Sequence, residues 1–216
     1  MATNITEFSK KVQPHVIGCP RMMVDAAVID ALIRFCEETH AMEKAFEHDV
    51  VTADVTTADN DSVNVNIATY LADVRPLVVT EFKIDGSSWD TAYIELLNVQ
   101  DDISEITIQG AKLFTYPDRT HIKFYDIEAK NQRFYIKQAY APTSSITSVD
   151  DLFYDRHHRA IEGRALYELM SQPGKDWTNP VLAQKYLADF NNGKADAAVR
   201  KNLTRGSARP KSMRFF

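Results

Sequence analysis

The feature that most constrains the fold of this chain is that the spacing of its apolar residues changes twice. From about Met23 to Ala41 they recur at steps of three and four, which is the period of an α-helix with one buried face. From about His48 to Ala141 they alternate with polar residues, as in β-strands, and from Thr147 to Leu203 the helical period returns. Helices from both ends of the chain must therefore share a core, with the strands between them in sequence.

The N-terminal helix is predicted to bury a wide face. Two adjoining rows form it, with Val28, Leu32 and Phe35 in one and Ile29, Ile33 and Cys36 in the other. The chain before Pro20 predicts only an irregular lead. Cys36 is expected to be a small buried apolar residue, and a disulfide to Cys19 is the disfavoured alternative, since the two cysteines fit no disulfide framework or metal spacing.

The middle of the chain predicts roughly five to seven antiparallel strands in a small sheet or barrel-like module. Valine and isoleucine alternate with asparagine over 63–67, and aromatic and β-branched residues recur over 133–141. Turn dipeptides such as Asp85-Gly86 and Gln109-Gly110 separate the runs.

Two helices are predicted after the strands. Ser148 is the expected N-cap of the first, which ends at Pro173-Gly174. The second begins at Thr178 or Asn179, with Pro180 in the first helical position. Gly193 is a candidate for a kink in this helix, and Gly206 is the expected stop.

These segments together predict an α+β protein: a small helical bundle of one N-terminal and two C-terminal helices, an inserted antiparallel β module and an extended basic C-terminal tail. The expected divisions are 1–45 for the first helix of the bundle, 46–146 for the β module, 147–204 for the C-terminal helices and 205–216 for the tail. The predicted bundle core consists of Val28, Ile29, Leu32, Phe35, Ile161, Ala165, Leu169, Leu182, Tyr186 and Phe190.

The charge of the chain is unevenly distributed. Residues 194–216 contain seven bases and one acid, a net charge of +6, while the whole chain carries −5, so that residues 1–193 carry −11. An acidic body with a basic tail indicates an anionic partner for the tail, and a solvated, disordered end is an equally favoured interpretation.

No motif of known catalytic chemistry is present, so we expect no catalytic residue, no metal and no cofactor. His157 and His158 are adjacent on a predicted helix and point about 100° apart, so they are poorly placed to share one ion. His158 and Glu162 are four residues apart and could share one, but surface roles are favoured for both. The acids Asp54, Asp59, Asp61, Asp101 and Asp102 lack the spacing of a calcium loop and are interpreted as loop residues.

The longest apolar runs are far shorter than the roughly 20 residues that cross a bilayer. The first residues show no apolar run after a basic segment, so no signal peptide is predicted. We therefore expect no membrane partner, and synthesis in a cytoplasm.

The order of several short motifs resembles a family of tailed-bacteriophage virion proteins, the neck or head–tail adaptor proteins. The motifs are Asp151-Leu152-Phe153, the runs 159–165 and 170–177, Asn179-Pro180, a helix with Tyr186 and Phe190, the run 193–200, and Arg205-Gly206. The run 28–32 followed by Phe35-Cys36 is similar to the N-terminal helix of that family. The resemblance covers about half of the chain, excludes the β module, and lies in the order of the motifs.

Membership would imply a structural protein without enzymatic activity, located in the neck of the virion and assembled in the host cytoplasm. The family forms rings, usually of twelve copies, that join the portal to a tail or nozzle protein and pass double-stranded DNA through the lumen. An acidic lumen would let the genome slide, since it repels phosphate. The residues expected to dock on the portal are Arg205, Arg209, Lys211, Met213, Arg214, Phe215 and Phe216.

Three other interpretations stay open. A tail-side connector or tail-terminator ring differs from an adaptor only in its position in the virion. A nucleic-acid-binding accessory protein would use residues 194–216 on phosphate groups. An enzyme is the least favoured, since no acid, base and nucleophile converge in the sequence.

Overall fold

A computed structural model describes residues 2–51, 54–56, 62–70, 74–84, 93–95, 112–115, 120–125 and 133–204. The chain forms two compact units: a helical unit of Met1–Met42 and Pro142–Phe216, and a β unit of Glu43–Ala141. The mixed class predicted from the sequence, α+β, is confirmed. The predicted helix stop at Gly206 and turns at 85–86 and 109–110 lie outside the described residues.

The helical unit contains four α-helices and a short antiparallel strand pair within its described residues. The helices are α1 (Thr6–Val12), α2 (Arg21–Thr39), α3 (Asp151–Met170) and α4 (Pro180–Thr204), and a 3-10 helix (Gln13–His15) follows α1. Strand β1 (Ala2–Asn4) pairs with β10 (Ser148–Asp150) and joins the first residues of the chain to the segment directly before α3. Helix α3 lies at the centre, because it packs against α1, α2 and α4.

Helix α1 corrects the expectation of an irregular lead. Phe8 and Val12 are fully buried, and the ring of Phe8 meets Tyr154 of α3 edge-on, with 4.7 Å between the ring centroids. A helix of only seven residues is marginal by itself, so its stability comes from this packing. The sequence pattern of such a short helix is too weak to recognise.

Helix α2 begins and ends two residues before the predicted range of Met23 to Ala41, and its C-cap is His40, which adopts a left-handed conformation with φ 52° and donates its N–H to Cys36 O at 2.8 Å. Val28, Leu32, Phe35 and Cys36 are fully buried. The second predicted row is only partly covered, because Ile29 and Ile33 are half-buried. Both cysteines are free, so the disulfide alternative is wrong, and burial raises the pKa of the Cys36 thiol.

The N-cap of α3 is Asp150, which corrects the prediction of Ser148. The Asp150 carboxylate accepts the N–H groups of Leu152 at 2.8 Å and Phe153 at 3.4 Å. Ser148 instead lies in β10, opposite Asn4 of β1. Ile161, Ala165 and Leu169 of α3 are buried in the core.

Helix α4 begins at Pro180, as predicted, with the side chain of Asn179 accepting the N–H of Leu182 at 3.1 Å. Its buried row consists of Ala183, Phe190 and Ala197. Leu182, predicted for the core, is 39% exposed, and Tyr186 is half-buried at the edge of the helix. The apolar row of α4 is therefore rotated away from the predicted one.

Helices α3 and α4 form an antiparallel hairpin whose close approach depends on two glycines. A Cβ at Gly163 would stand 2.9 Å from Tyr186 O, and one at Gly193 would clash with the Cβ of Ala160. Gly193 therefore allows helix contact, and α4 continues through it as one helix to Thr204. This contact explains why a residue of poor helix propensity is placed in the middle of a helix.

The β unit contains two sheets. One has the strand order β2 (Glu43–Asp49), β9 (Arg133–Pro142), β5 (Val74–Ile84). The other has the order β3 (Val55–Thr56), β4 (Ser62–Asn66), β8 (His121–Tyr125), β7 (Lys112–Thr115), β6 (Tyr93–Glu95). The described registers are antiparallel, as expected from the sequence, except that β6 and β7 are parallel.

An aromatic cluster fills the core of the β unit. The ring centroids of Phe82 and Phe124 are 4.4 Å apart, and those of Phe82 and Phe134 are 4.9 Å apart. These rings and the buried valine and isoleucine side chains of β4 and β8 form one apolar cluster. Burial of large rings in edge-to-face and tilted contacts supplies much of the stability of a small β unit.

Among the described residues, no helix is both long and apolar enough to cross a membrane.

The contact at Gly193 can be tested by substitution. Gly193→Ala should lower the free energy of unfolding by about 1–3 kcal/mol, because the new methyl group overpacks the hairpin, although alanine favours a helix by about 1 kcal/mol. Exchanging the pair, Ala160→Gly with Gly193→Ala, keeps the composition and should restore most of the loss. Urea unfolding followed by far-UV circular dichroism measures both, and a stabilised single variant would contradict the role assigned to Gly193.

Candidate functional site

The residues predicted to dock on a portal, Arg205, Arg209, Lys211, Met213, Arg214, Phe215 and Phe216, lie outside the described residues. The structure describes α4, the helix that leads to them, up to Thr204. Within the described residues, two clusters of polar side chains, one in each unit, include residues that the sequence singled out.

The first place is a cleft of about 660 Å³ along α3, between α1 with its following 3-10 helix on one side and α4 on the other. His158 and Glu162, which the sequence singled out as a pair, both line it. The other elements add Lys11 of α1, His15 of the 3-10 helix and, from α4, Tyr186 together with Asp189, Asn192, Asp196 and Arg200. Lys11 and His15 were not recognised in the sequence, because both lie far along the chain from α3 and α4, whereas Tyr186 was predicted for the bundle core.

Glu162 is the most buried acid of the cleft. Its carboxylate lies 3.5 Å from the Lys11 ammonium. Burial raises the pKa of Glu162, and Lys11, His158 and His15 act in the opposite direction without overcoming it. Lys11 therefore partly neutralises a carboxyl group that the fold has removed from water.

Tyr154 forms the floor under this ion pair. The Lys11 ammonium lies 4.9 Å from the centroid of the Tyr154 ring, and the His158 ring stacks on the same tyrosine with 5.2 Å between centroids. His158 Nδ1 is 3.1 Å from Tyr154 O. On the far side, Tyr186 Oη is 3.4 Å from His15 Nδ1. The arrangement ties α1 and the 3-10 helix to both C-terminal helices.

A metal site is not formed here. Among the residues that the structure describes, no three histidine, cysteine or acidic side chains are grouped closely enough to hold an ion. In the cleft, the cation nearest to Glu162 is the Lys11 ammonium. The cluster holds the Lys11 ammonium and the Glu162 carboxylate together over the ring of Tyr154, which is a structural role.

His157, the neighbour of His158, faces the core and was not expected there. Its ring lies 5.0 Å from the rings of Phe35 and Phe153, measured between centroids. Burial, together with the positive charges of Arg156 and Arg200, lowers the pKa of His157 to about 4. The imidazole is therefore neutral at pH 7, which corrects its interpretation as a surface residue.

The second cluster is a series of three hydrogen-bonded side chains in the β unit. His48 of β2 lies with Nδ1 3.1 Å from Tyr70 Oη and with Nε2 3.1 Å from Asp54 Oδ2. Asp54 also accepts the N–H of Val51 at 2.9 Å, and Tyr70 stacks on Phe46 with 4.4 Å between the ring centroids. Asp54 is thus a structural hydrogen-bond partner, which corrects its interpretation as a loop acid that serves solubility.

The hydrogen-bonded series of Asp54, His48 and Tyr70 has the connectivity of a catalytic triad, but the pKa shift of Tyr70 opposes such a role. Burial, with the negative charges of Asp49 and Asp54, raises the pKa of Tyr70. A nucleophile requires the reverse, a phenol that ionises more readily. The three residues instead join the segment after β2 to the turn at residues 67–70.

No protein-family model matches this chain, and no curated protein sequence is significantly similar to it. The functional interpretation therefore depends on the residues and geometry of the chain itself.

His157 makes the stability of the helical unit depend on pH. Because its pKa falls from about 6.5 to about 4 on folding, the unfolded chain takes up the proton first, and stability present above pH 6.5 is lost as the pH falls towards 4. We expect a loss of about 1–2 kcal/mol, reduced from the full shift because solvent reaches the half-buried ring. His157→Gln should remove this part of the pH dependence in urea unfolding between those pH values. If the free energy of unfolding of His157→Gln changes with pH as steeply as that of the original chain, the role assigned to His157 is contradicted.

The hydrogen bonds of His48 predict that removal of the Tyr70 hydroxyl group destabilises the protein. Tyr70→Phe leaves His48 Nδ1 without its partner and should lower the free energy of unfolding by about 1–2 kcal/mol. Tyr167→Phe is the matched control, since the Tyr167 hydroxyl makes no hydrogen bond to the part of the chain that the structure describes. Equal effects of the two substitutions, measured by urea unfolding, would count against the role of Tyr70.

Proposed function

We propose that this chain is a structural subunit of a tailed-bacteriophage neck, an adaptor ring that joins the head portal to the tail. In this proposal α2, α3 and α4 form the small bundle of the adaptor, the β unit is its insertion, and residues 205–216 form an extended docking tail. The partners are the portal, a tail or nozzle protein, and further copies of the chain, with double-stranded DNA passing through the ring.

The observation that carries the proposal is that the helical unit is built from both ends of the chain. Residues 1–42 and 142–216 belong to one compact unit, while residues 43–141 form another. This connectivity is what the resemblance in motif order implies: a helical body interrupted by a β insertion. The motifs that carry the resemblance lie in α2, in α3, in the α3–α4 turn and in α4, except Arg205-Gly206, which lies outside the described residues.

The end of α4 supports the docking part of the proposal. The helix reaches Thr204, so the basic segment 205–216 follows it directly. This segment has four bases and three large apolar residues, and the proposal gives both kinds of side chain a partner. In a groove of the portal, Phe215 and Phe216 would anchor it while the bases pair with acids.

The charge of the remaining chain fits a passage for DNA. Residues 1–193 carry a net charge of −11. A ring lumen lined by such a surface would repel phosphate groups and would not retain the genome. An ejection channel lined mainly by lysine and arginine would contradict this part of the proposal.

The nucleic-acid-binding alternative is weakened by the position of Lys194, the first base of the segment assigned to phosphate contacts. Its ammonium is 2.5 Å from Glu38 Oε2 of α2 and 4.9 Å from the centroid of the Phe190 ring. Lys194 therefore already joins α4 to α2, and a phosphate contact would have to break that pair.

The adaptor role is tested by mixing the full chain with the portal ring of its own phage, separating the mixture on a density gradient and imaging the ring fraction. The full chain should migrate with the portal as an added ring. A chain ending at Thr204, and a full-length Phe215→Ala/Phe216→Ala variant, should lose this association. Asp176→Ala, at an exposed position between α3 and α4, is the control and should bind normally.

Failure of every version to associate with the portal would overturn the adaptor proposal in favour of a tail-side connector, with the tail tube as the next partner to test. Equal binding by the full and truncated chains would keep the adaptor role and refute docking by residues 205–216.

A further inference from the structure

Helix α4 is covered on one side only. Its buried residues Ala183, Phe190 and Ala197 lie seven residues apart and form a single narrow row. On the opposite side, Val181 is 81% exposed and Val199 is 57% exposed. Ala188 and Ala195 follow Val181 at the same seven-residue spacing and are also exposed. The helix thus carries two apolar rows on opposite sides, and the fold of one chain covers one of them.

A helix at the surface of a single chain needs one apolar face, and the opposite face is normally polar. A second apolar row with large exposed residues at both ends marks a contact surface. Between Val181 and Val199 the row holds Ala188, Asn192 and Ala195, and the two alanines leave room for another helix beside the amide. The shape of the row therefore fits a helix better than a loop or a sheet.

Two charged residues flank the row. Lys185 and Asp196 are eleven residues apart, which is about three helical turns or about 16 Å, so their side chains leave the helix on the same side. Both are exposed, and neither forms a salt bridge with another residue of the described part of the chain. They have opposite charges and are equally distant from the point midway between Phe190 and Asn191.

We propose that the exposed row of α4 packs against α4 of a second copy of this chain, with the two helices antiparallel about a twofold axis between Phe190 and Asn191. This axis places Lys185 opposite Asp196 of the partner subunit, and Asp196 opposite Lys185 of the partner subunit. It also places Val181 beside Val199 of the partner subunit at each end, so that the ends of the row meet.

The charge pattern indicates that the partner on this row is a second copy of the chain. A surface that meets itself across a twofold axis must be complementary to its own reversed copy. The axis that pairs Lys185 with Asp196 also bisects the apolar row, since Val181 and Val199 lie nine residues on either side of Phe190, so the charges and the apolar ends meet their reversed copies together. The dimer describes the free chain and does not depend on the proposed role in a phage neck.

The expected affinity is modest. The row from Val181 to Val199 is about 30 Å long. A single helix face of that length buries less than the roughly 800 Å² per partner of a standard interface, which indicates a dissociation constant in the micromolar range. The dimer should therefore dissociate on dilution.

Sedimentation velocity of the full chain from about 1 to about 200 µM should show a reversible monomer–dimer equilibrium. Carbodiimide, which joins a lysine to a carboxylate in direct contact, should then give a Lys185–Asp196 peptide in the dimer band. Within one chain these side chains are three turns apart, too far for such a bond. The cross-link therefore reports only the contact between copies.

Charge reversal distinguishes this interface from any other. Lys185→Glu and Asp196→Lys should each weaken the dimer about tenfold or more, because two ion pairs become two repulsions. The double variant, Lys185→Glu with Asp196→Lys, should recover the original affinity. Asp30→Lys, at an exposed position of α2, is the matched control and should have no effect.

The proposal is overturned if the chain stays monomeric over the whole concentration range. It is also overturned by a dimer that gives no Lys185–Asp196 cross-link, or by a double variant no stronger than the single ones. Far-UV circular dichroism of each variant separates loss of the interface from loss of the helix.

Discussion

The packing of α3 against its neighbours is the constraint on which the helical unit depends. Gly163 and Gly193 bring α3 and α4 close enough for backbone and methyl groups to touch, and Phe190 reaches Phe35 of α2, with 6.2 Å between ring centroids. Because α3 contacts all three other helices of the unit, a shift at the α3–α4 contact would move the surfaces on which α1 and α2 pack. The β1–β10 pair and the cap at Asp150 fix where α3 begins.

Polar side chains also stabilise the packing within each unit. In the helical unit, Lys11 and Glu162 meet over Tyr154 and hold α1 in place. In the β unit, His48 joins Asp54 to Tyr70. Buried polar groups stabilise a fold only when partners are present: Lys11 pairs with Glu162 from the other end of the helical unit's sequence, and His48 bonds Asp54 and Tyr70 within the β unit. Their geometry resembles that of catalytic sites, yet the pKa shifts of Glu162 and Tyr70 follow from burial and make both groups harder to ionise.

The two proposed interaction surfaces lie outside these clusters. The adaptor proposal assigns function to the end of α4 and the basic segment after it, and the dimer proposal assigns the exposed side of the same helix to a second copy. The dimer proposal starts from the side of α4 opposite its buried row of Ala183, Phe190 and Ala197, and the adaptor proposal starts from the position of its end. A long helix with limited coverage can bind other chains without disturbing the core that supports it.

The sequence by itself determined the helix-strand-helix order, the position of α2 to within two residues at each end, the start of α4 and the burial of Phe35 and Cys36, because each follows from local periodicity or capping. The tertiary structure alone decided that α1 is helical, that Asp150 caps α3, that Ile29, Leu182 and Tyr186 lie at the edge of the core, and that His157 packs against Phe35 and Phe153. The physical reason is that a helix with several apolar rows can turn any of them inward. Which row is buried depends on where glycines allow a neighbour to approach, and that contact joins residues far apart in the sequence.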